Sequence, residues 1–146
     1  MSSFMDLFSG ANFRVTIQKY CSQNNWRPSD INDRRAILKF DMKSGRTQTL
    51  YIIKFDTTLE FSVPSMINFS SEDDIPHYIS TILMKRNRER KIGFWCIEII
   101  GNKQTYSAMH NAEMKLMDSD YFALVIQALI SDCDEFEGTI IKILNS

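Results

Sequence analysis

Apolar and polar positions along the chain follow two rhythms, and each predicts a different kind of element. Between Ala11 and Asn25, Phe13, Ile17, Tyr20 and Cys21 recur every three or four residues, which predicts an amphipathic helix. The polar run Ser22 to Asn25 ends it, and Pro28, Ser29 and Asp30 mark a loop. The rhythm then changes to alternation. In Arg34 to Met42, Ala36, Leu38, Phe40 and Met42 alternate with Lys39 and Asp41, with Ile37 as the exception. Lys43-Ser44-Gly45-Arg46 is a hairpin turn into a second strand, Thr47 to Phe55. Asp56-Thr57-Thr58 turns again into Leu59, Phe61 and Val63. Such short connections predict an antiparallel meander. Pro64 has no N–H to give to a ladder, so the third strand is expected to bulge or to lie at an edge there.

The helical rhythm returns after Ser70-Ser71-Glu72-Asp73-Asp74. Hydroxyls suited to capping and acids suited to a helix N-terminus predict a second helix, with Pro76 in its first turn. Ile75, Tyr78, Ile79, Ile82 and Leu83 form its expected buried stripe. Gly93 opens a further strand with Trp95, Ile97 and Ile99 on one face, and Gly101-Asn102-Lys103 turns it into Gln104 to His110. Another extended piece is expected over Ala112 to Met117. Asp118 or Ser119 caps a last helix that points Phe122, Val125, Ile126, Leu129, Ile130, Cys133 and Phe136 inward. The predicted order is α-β-β-β-α-β-β-(β)-α: a single α+β domain over residues 1–146, with helices packed on an antiparallel sheet.

This order resembles the type III secretion chaperone-like fold, which includes the Tir chaperone and YbjN-like families. The local likeness lies at Ile82-Leu83-Met84-Lys85-Arg86-Asn87 followed by Gly93-Phe94-Trp95-Cys96-Ile97-Glu98. It is similar to the passage of leucine, basic pair, asparagine and glycine-aromatic strand in YbjN-like sequences. The resemblance implies a dimerising module that binds an extended segment of a client protein.

Composition fits a folded chain more than it narrows the function. At 146 residues, 44% hydrophobic and 12% aromatic, the chain is too apolar for intrinsic disorder and can bury roughly 70% of its unfolded surface. A formal charge of -1 disfavours a protein whose main task is to hold nucleic-acid phosphates. The stretch Met1 to Phe13 has no basic start, and no apolar run is long enough to span a bilayer, so a cytoplasmic protein without an export signal is expected. Cys21, Cys96 and Cys133 are far apart and lack CxxC spacing, and read as reduced thiols in apolar settings.

Candidate chemistry is sparse. His77 and His110 are the only histidines, and they read as a solvated helix-start residue and an ordinary turn residue. No metal-ligand spacing, phosphate loop or nucleophile elbow is present, so neither cofactor nor catalytic residues are expected. Lys85, Arg86, Arg88, Arg90 and Lys91 could neutralise phosphates, or could simply complement a helix C-terminus. Asp132, Asp134, Glu135 and Glu137 read as the end of the last helix, where acids are electrostatically unfavourable and could meet the basic run of a neighbouring subunit.

The sheet's second face is the main candidate site. With Leu38, Phe40, Trp95 and Ile97 against the helices, the expected second-face apolar residues are Ile37, Leu50, Ile52, Phe94, Cys96 and Ile100. They are mixed with Lys39, Asp41, Lys54, Glu60 and Glu98. Such a face contributes to a subunit or client interface, or is covered within one subunit by the second helix or the N-terminal residues. Two function classes follow. One is a non-enzymatic, chaperone-like or adaptor-like homodimer that holds a partner segment. The other is a nucleic-acid-associated regulator using Lys85 to Lys91.

Overall fold

The computed structural model of the chain describes residues 10–146. The expectation about Met1 to Ser9, and the possibility that they cover the sheet, lie outside the described residues. Helix α1 runs from Gly10 to Gln23. It is followed by strands β1 (Asp30–Ile31), β2 (Arg35–Asp41), β3 (Thr47–Phe55) and β4 (Thr58–Phe69). Then come helix α2 (His77–Glu89), strands β5 (Phe94–Ile100) and β6 (Lys103–Glu113), and helix α3 (Ser119–Leu144). One antiparallel six-stranded sheet takes the order β1-β2-β3-β4-β6-β5. The first four strands form a meander, α2 carries the chain to the far edge, and β6 returns between β5 and β4. The three-helix α+β architecture follows the predicted order, except that the short β1 lies in what reads as loop.

Local chemistry accounts for most boundaries. The Ser71 side chain accepts from the Asp73 N–H in a 3-10 turn, and α2 itself starts only after Pro76. Asp118 caps α3 by accepting from the Tyr121 N–H at 2.8 Å. The extended piece expected over Ala112 to Met117 divides between the end of β6 and a 3-10 turn at Met114–Leu116. The β5–β6 hairpin needs left-handed backbone at two successive positions, and Gly101 (φ 54°) and Asn102 (φ 66°) supply it. At Pro64 the expectation of a bulge is met. Pairing with β3 stops at Ser62, and the β6 register shifts between Pro64 and Asn68.

All three helices serve one core. Phe13, Ile17 and Cys21 of α1 are fully buried, as are Phe122, Val125, Ile126, Leu129 and Cys133 of α3. They meet Ala36, Leu38, Leu50, Ile52, Leu59, Phe61, Val63 and Ala108 from the helix side of the sheet. A 26-residue α3, about 39 Å long, crosses β3, β4 and β6 and holds the sheet's middle. By contrast α2 buries only Ile79 and Leu83 and sits beside the edge strand β5. Tyr78 and Ile82, expected in its buried stripe, are 53% and 49% exposed. The sheet ends at β5, so half of the stripe has nothing to pack on.

Candidate functional site

The face of the sheet away from the core carries a trough of about 480 Å³. Its walls come from alternate residues of three strands: Thr49, Tyr51 and Ile53 of β3, Glu60, Ser62 and Pro64 of β4, and Glu98 and Ile100 of β5. The register explains the grouping, since Tyr51 lies opposite Ser62 and Ile53 opposite Glu60. Between β4 and β5 runs β6, whose side chains on this face include the fully buried Ser107, opposite Pro64 and Cys96, flanked by Thr105 and Met109. Ser62 donates to Glu98 Oε1 at 2.6 Å across the intervening strand. Burial, and then the neighbouring Glu98 carboxylate, push the Glu60 carboxyl above its ordinary value. The Ser107 hydroxyl is buried without a hydrogen-bond partner.

Four of the six predicted second-face apolar residues belong to this face. Ile37 lies opposite Tyr51, and Phe94, Cys96 and Ile100 follow one another on β5. Leu50 and Ile52 do not. They pair with Leu38 and Ala36, are fully buried, and face the helices. Lys54 shares their side of β3. The hairpin register is the reason: Asp41 opposite Thr47 matches even-numbered residues with even-numbered ones across the pair. Because β3 is apolar on both sides, hydrophobicity alone could not orient it, whereas counting back from the turn could. That register puts Tyr51 and Ile53, in place of Leu50 and Ile52, on the trough side of β3, where Glu60 of β4 joins them.

The basic run does not form one surface. Lys85 and Arg88 are exposed on α2 and Lys91 is exposed beyond it, but Arg86 is half-buried. Arg90 turns inward, donating to the Ile92 carbonyl and pairing with Asp132 of α3. The acids correct a second expectation. They lie within α3 rather than at its end, and three of them find cations inside the same chain. Arg46 Nη2 donates to the Asp134 carbonyl at 2.6 Å and lies 3.2 Å from its carboxylate. Arg46 Nε is 3.4 Å from Glu137 Oε1, an ion-pair contact without hydrogen-bond geometry. The Glu137 carboxylate accepts from Gln48 Nε2 at 2.6 Å and from the Met66 N–H at 2.7 Å, just where β4 bulges.

A second apolar surface lies at the β5 edge. Tyr78, Ile82 and Met84 of α2 are exposed, as are Ile97 and Ile99 of β5, at 41% and 72%. A cleft of about 140 Å³ between these elements is lined by Leu83, Met84, Trp95, Ile97 and Tyr106. Asn87 closes the edge at one point by bonding both backbone groups of Trp95.

His110 is not a turn residue. It lies inside β6, half-buried, accepting at Nδ1 from the Gly93 N–H at 3.1 Å and meeting the Tyr121 hydroxyl through Nε2 at 3.0 Å. Burial pulls its pKa below the ordinary value. The thiols of Cys21 and Cys96 are pushed up to about 11 and about 12 by burial, and that of Cys133 higher still, which keeps all three protonated. Among the described residues, no group of three or more His, Cys, Asp or Glu side chains could hold a metal ion. Nor is any helix there long and apolar enough to cross a membrane.

No protein-family model and no curated protein sequence matches this chain. Two solved structures are similar in shape. One is the HopA1–SchA chaperone–effector complex, a chain of which superposes with a TM-score of 0.65 at 8% identity, covering 94% of this chain and 99% of that one. The other is the ExsC–ExsE complex, with a TM-score of 0.61 at 7% identity over 88% of this chain and 92% of that one. Such identities speak to fold alone.

Proposed function

We propose that this chain, which has the type III secretion chaperone-like fold, is a chaperone-like or adaptor-like protein of the cytoplasm. It has no catalytic role, and it holds an extended segment of a partner protein against the second face of its sheet. The observation that carries this reading is the trough over β3, β4 and β5, an apolar concavity on a sheet face that no described helix covers. Tyr51, Ile53 and Pro64 supply apolar walls, with Ile37, Phe94, Cys96 and Ile100 extending the surface to either side.

The protein works as a homodimer. What supports this is the exposed apolar strip of α2 and β5, which a second copy would bury around a two-fold axis. Beyond Trp95 the outward backbone groups of β5 fall at Ile97 and Ile99 by alternation, and the pair of edges can add main-chain bonds to that contact.

The test is capture from native lysate with the wild-type chain and with Tyr51→Arg, which plugs the trough. Light scattering is run on each, and on Ile82→Glu. The expected result is a dimeric wild type with a reproducible protein partner, a folded Tyr51→Arg without that partner, and a monomeric Ile82→Glu. A partner held equally by Tyr51→Arg, or none at all, overturns the client reading. Retention of a DNA or RNA fragment that weakens steeply with salt would favour the nucleic-acid alternative through Lys85, Arg88 and Lys91.

A further inference from the structure

Glu60 and Glu98 place two carboxylates in one trough, and neither forms an ion pair among the described residues. Arg35 is paired to Asp30, and Lys103 donates to Ser70 at the sheet's end. Lys39 lies opposite Thr49 on β2 without an ion pair to either acid. Ser62 satisfies one oxygen of Glu98 and leaves the rest of the pair unneutralised. Burial first, and the neighbouring Glu98 charge second, raise the Glu60 carboxyl, so two carboxylates beside apolar walls are unfavourable without a counter-charge. The fully buried Ser107 hydroxyl, unpartnered on the strand between them, is a further unmet polar group on the same face.

We infer that this trough receives a basic side chain, lysine or arginine, from an extended partner segment, with Glu60 and Glu98 as its counter-charges. Tyr51, Ile53 and Pro64 pack its aliphatic stem and the apolar residues on either side of it. A cation with a long apolar stem matches both the charge and the lining of the site, whereas an acidic or wholly apolar side chain would leave the carboxylates desolvated and unpaired. The inference rests on the client reading above and adds the partner's chemistry: an apolar strand carrying a basic residue.

A display library of random twelve-residue peptides, selected on the wild-type protein and on Glu60→Gln/Glu98→Gln, tests it. The wild type should select peptides with lysine or arginine at a fixed spacing from apolar residues. The double variant, shown folded by circular dichroism, should bind those peptides roughly 10- to 100-fold more weakly and select apolar peptides without the basic residue. Glu60→Lys should likewise lose the basic preference. Apolar peptides selected without a basic residue by the wild type would sink this inference and leave the client reading standing. A basic preference that survives in the double variant would place the cation elsewhere and overturn the site. If no peptide is selected by either protein, the client reading falls and this inference with it.

Discussion

The Asn87 side chain makes two hydrogen bonds to the Trp95 backbone, donating to its carbonyl at 3.0 Å and accepting from its N–H at 2.6 Å. A helix side chain thereby does for the edge strand what a neighbouring strand would do, and ties α2 to β5. Asn87 and the strand that Gly93 opens, six to eight positions apart in sequence, meet here in space. Free edges invite pairing with other chains, so the clamp also limits where such pairing can begin.

Asn87→Ala should therefore destabilise the protein by about 1–3 kcal/mol, since it leaves a part-buried N–H and C=O without partners. Asn87→Asp should fare little better, because a carboxylate cannot donate to the Trp95 carbonyl. Urea unfolding monitored by circular dichroism checks both, and an unchanged midpoint would show that water replaces the clamp at no cost.

Glu137 is nearly fully buried and bonds three elements at once: Gln48 of β3, Met66 at the bulge of β4, and Arg46 of the hairpin. Glu137→Ala leaves the Met66 N–H without its acceptor and Arg46 with Asp134 alone, and is expected to cost about 3 kcal/mol. Glu137→Gln keeps an acceptor and should recover part of that loss. Equal melting temperatures for the two variants would mean that charge, and not hydrogen bonding, is what the site requires.

Glutamate at Ile52 and at Ile37 separates the two faces of one strand pair. Ile52 is fully buried against the helices, so Ile52→Glu should unfold the chain, at a cost above about 4 kcal/mol. Ile37 lies half-buried on the second face, where Ile37→Glu should cost only about 1 kcal/mol or less. Far-ultraviolet circular dichroism of the two purified variants decides it; a folded Ile52→Glu would refute the register described above.

Acidification should weaken the fold through His110. Nδ1 accepts from the Gly93 N–H, so a second ring proton would break that bond. The folded pKa lies below the ordinary 6.5, so the unfolded chain takes the proton first. The stabilisation is complete above that value and is lost as pH falls through it towards the folded pKa. Denaturation midpoints measured at descending pH should fall less for His110→Gln than for wild type. Matching slopes would remove His110 as the cause. Gly93 itself is confined, with φ at 80° and a hypothetical Cβ only 2.7 Å from Leu129.

Glu60 contributes in the opposite sense. Its folded pKa is raised, so it opposes folding at neutral pH, and that penalty is relieved as pH falls through the raised value towards 4.5. Glu60→Gln should raise the melting temperature at pH 7 while weakening basic-peptide binding. A fall in melting temperature would mark Glu60 as a structural residue.

The sequence by itself determined the element order, most boundaries and much of the core. Those features depend on local chemistry: the period of the apolar positions, Asp118 as a cap, Gly101-Asn102 as a left-handed turn, and Pro64 without an N–H. Tertiary structure decided what depends on distant partners. It turned Leu50 and Ile52 inward, because β3 is apolar on both sides and only its register against β2 orients it. It absorbed Arg90, Asp132, Asp134 and Glu137 into ion pairs within the chain, since a charge in sequence carries no record of what will stand opposite it. It also brought Glu60 and Glu98, 38 positions apart, into one trough, because α2 carries the chain across to the far edge and β5 and β6 return antiparallel beside β4 with both acids on the same face.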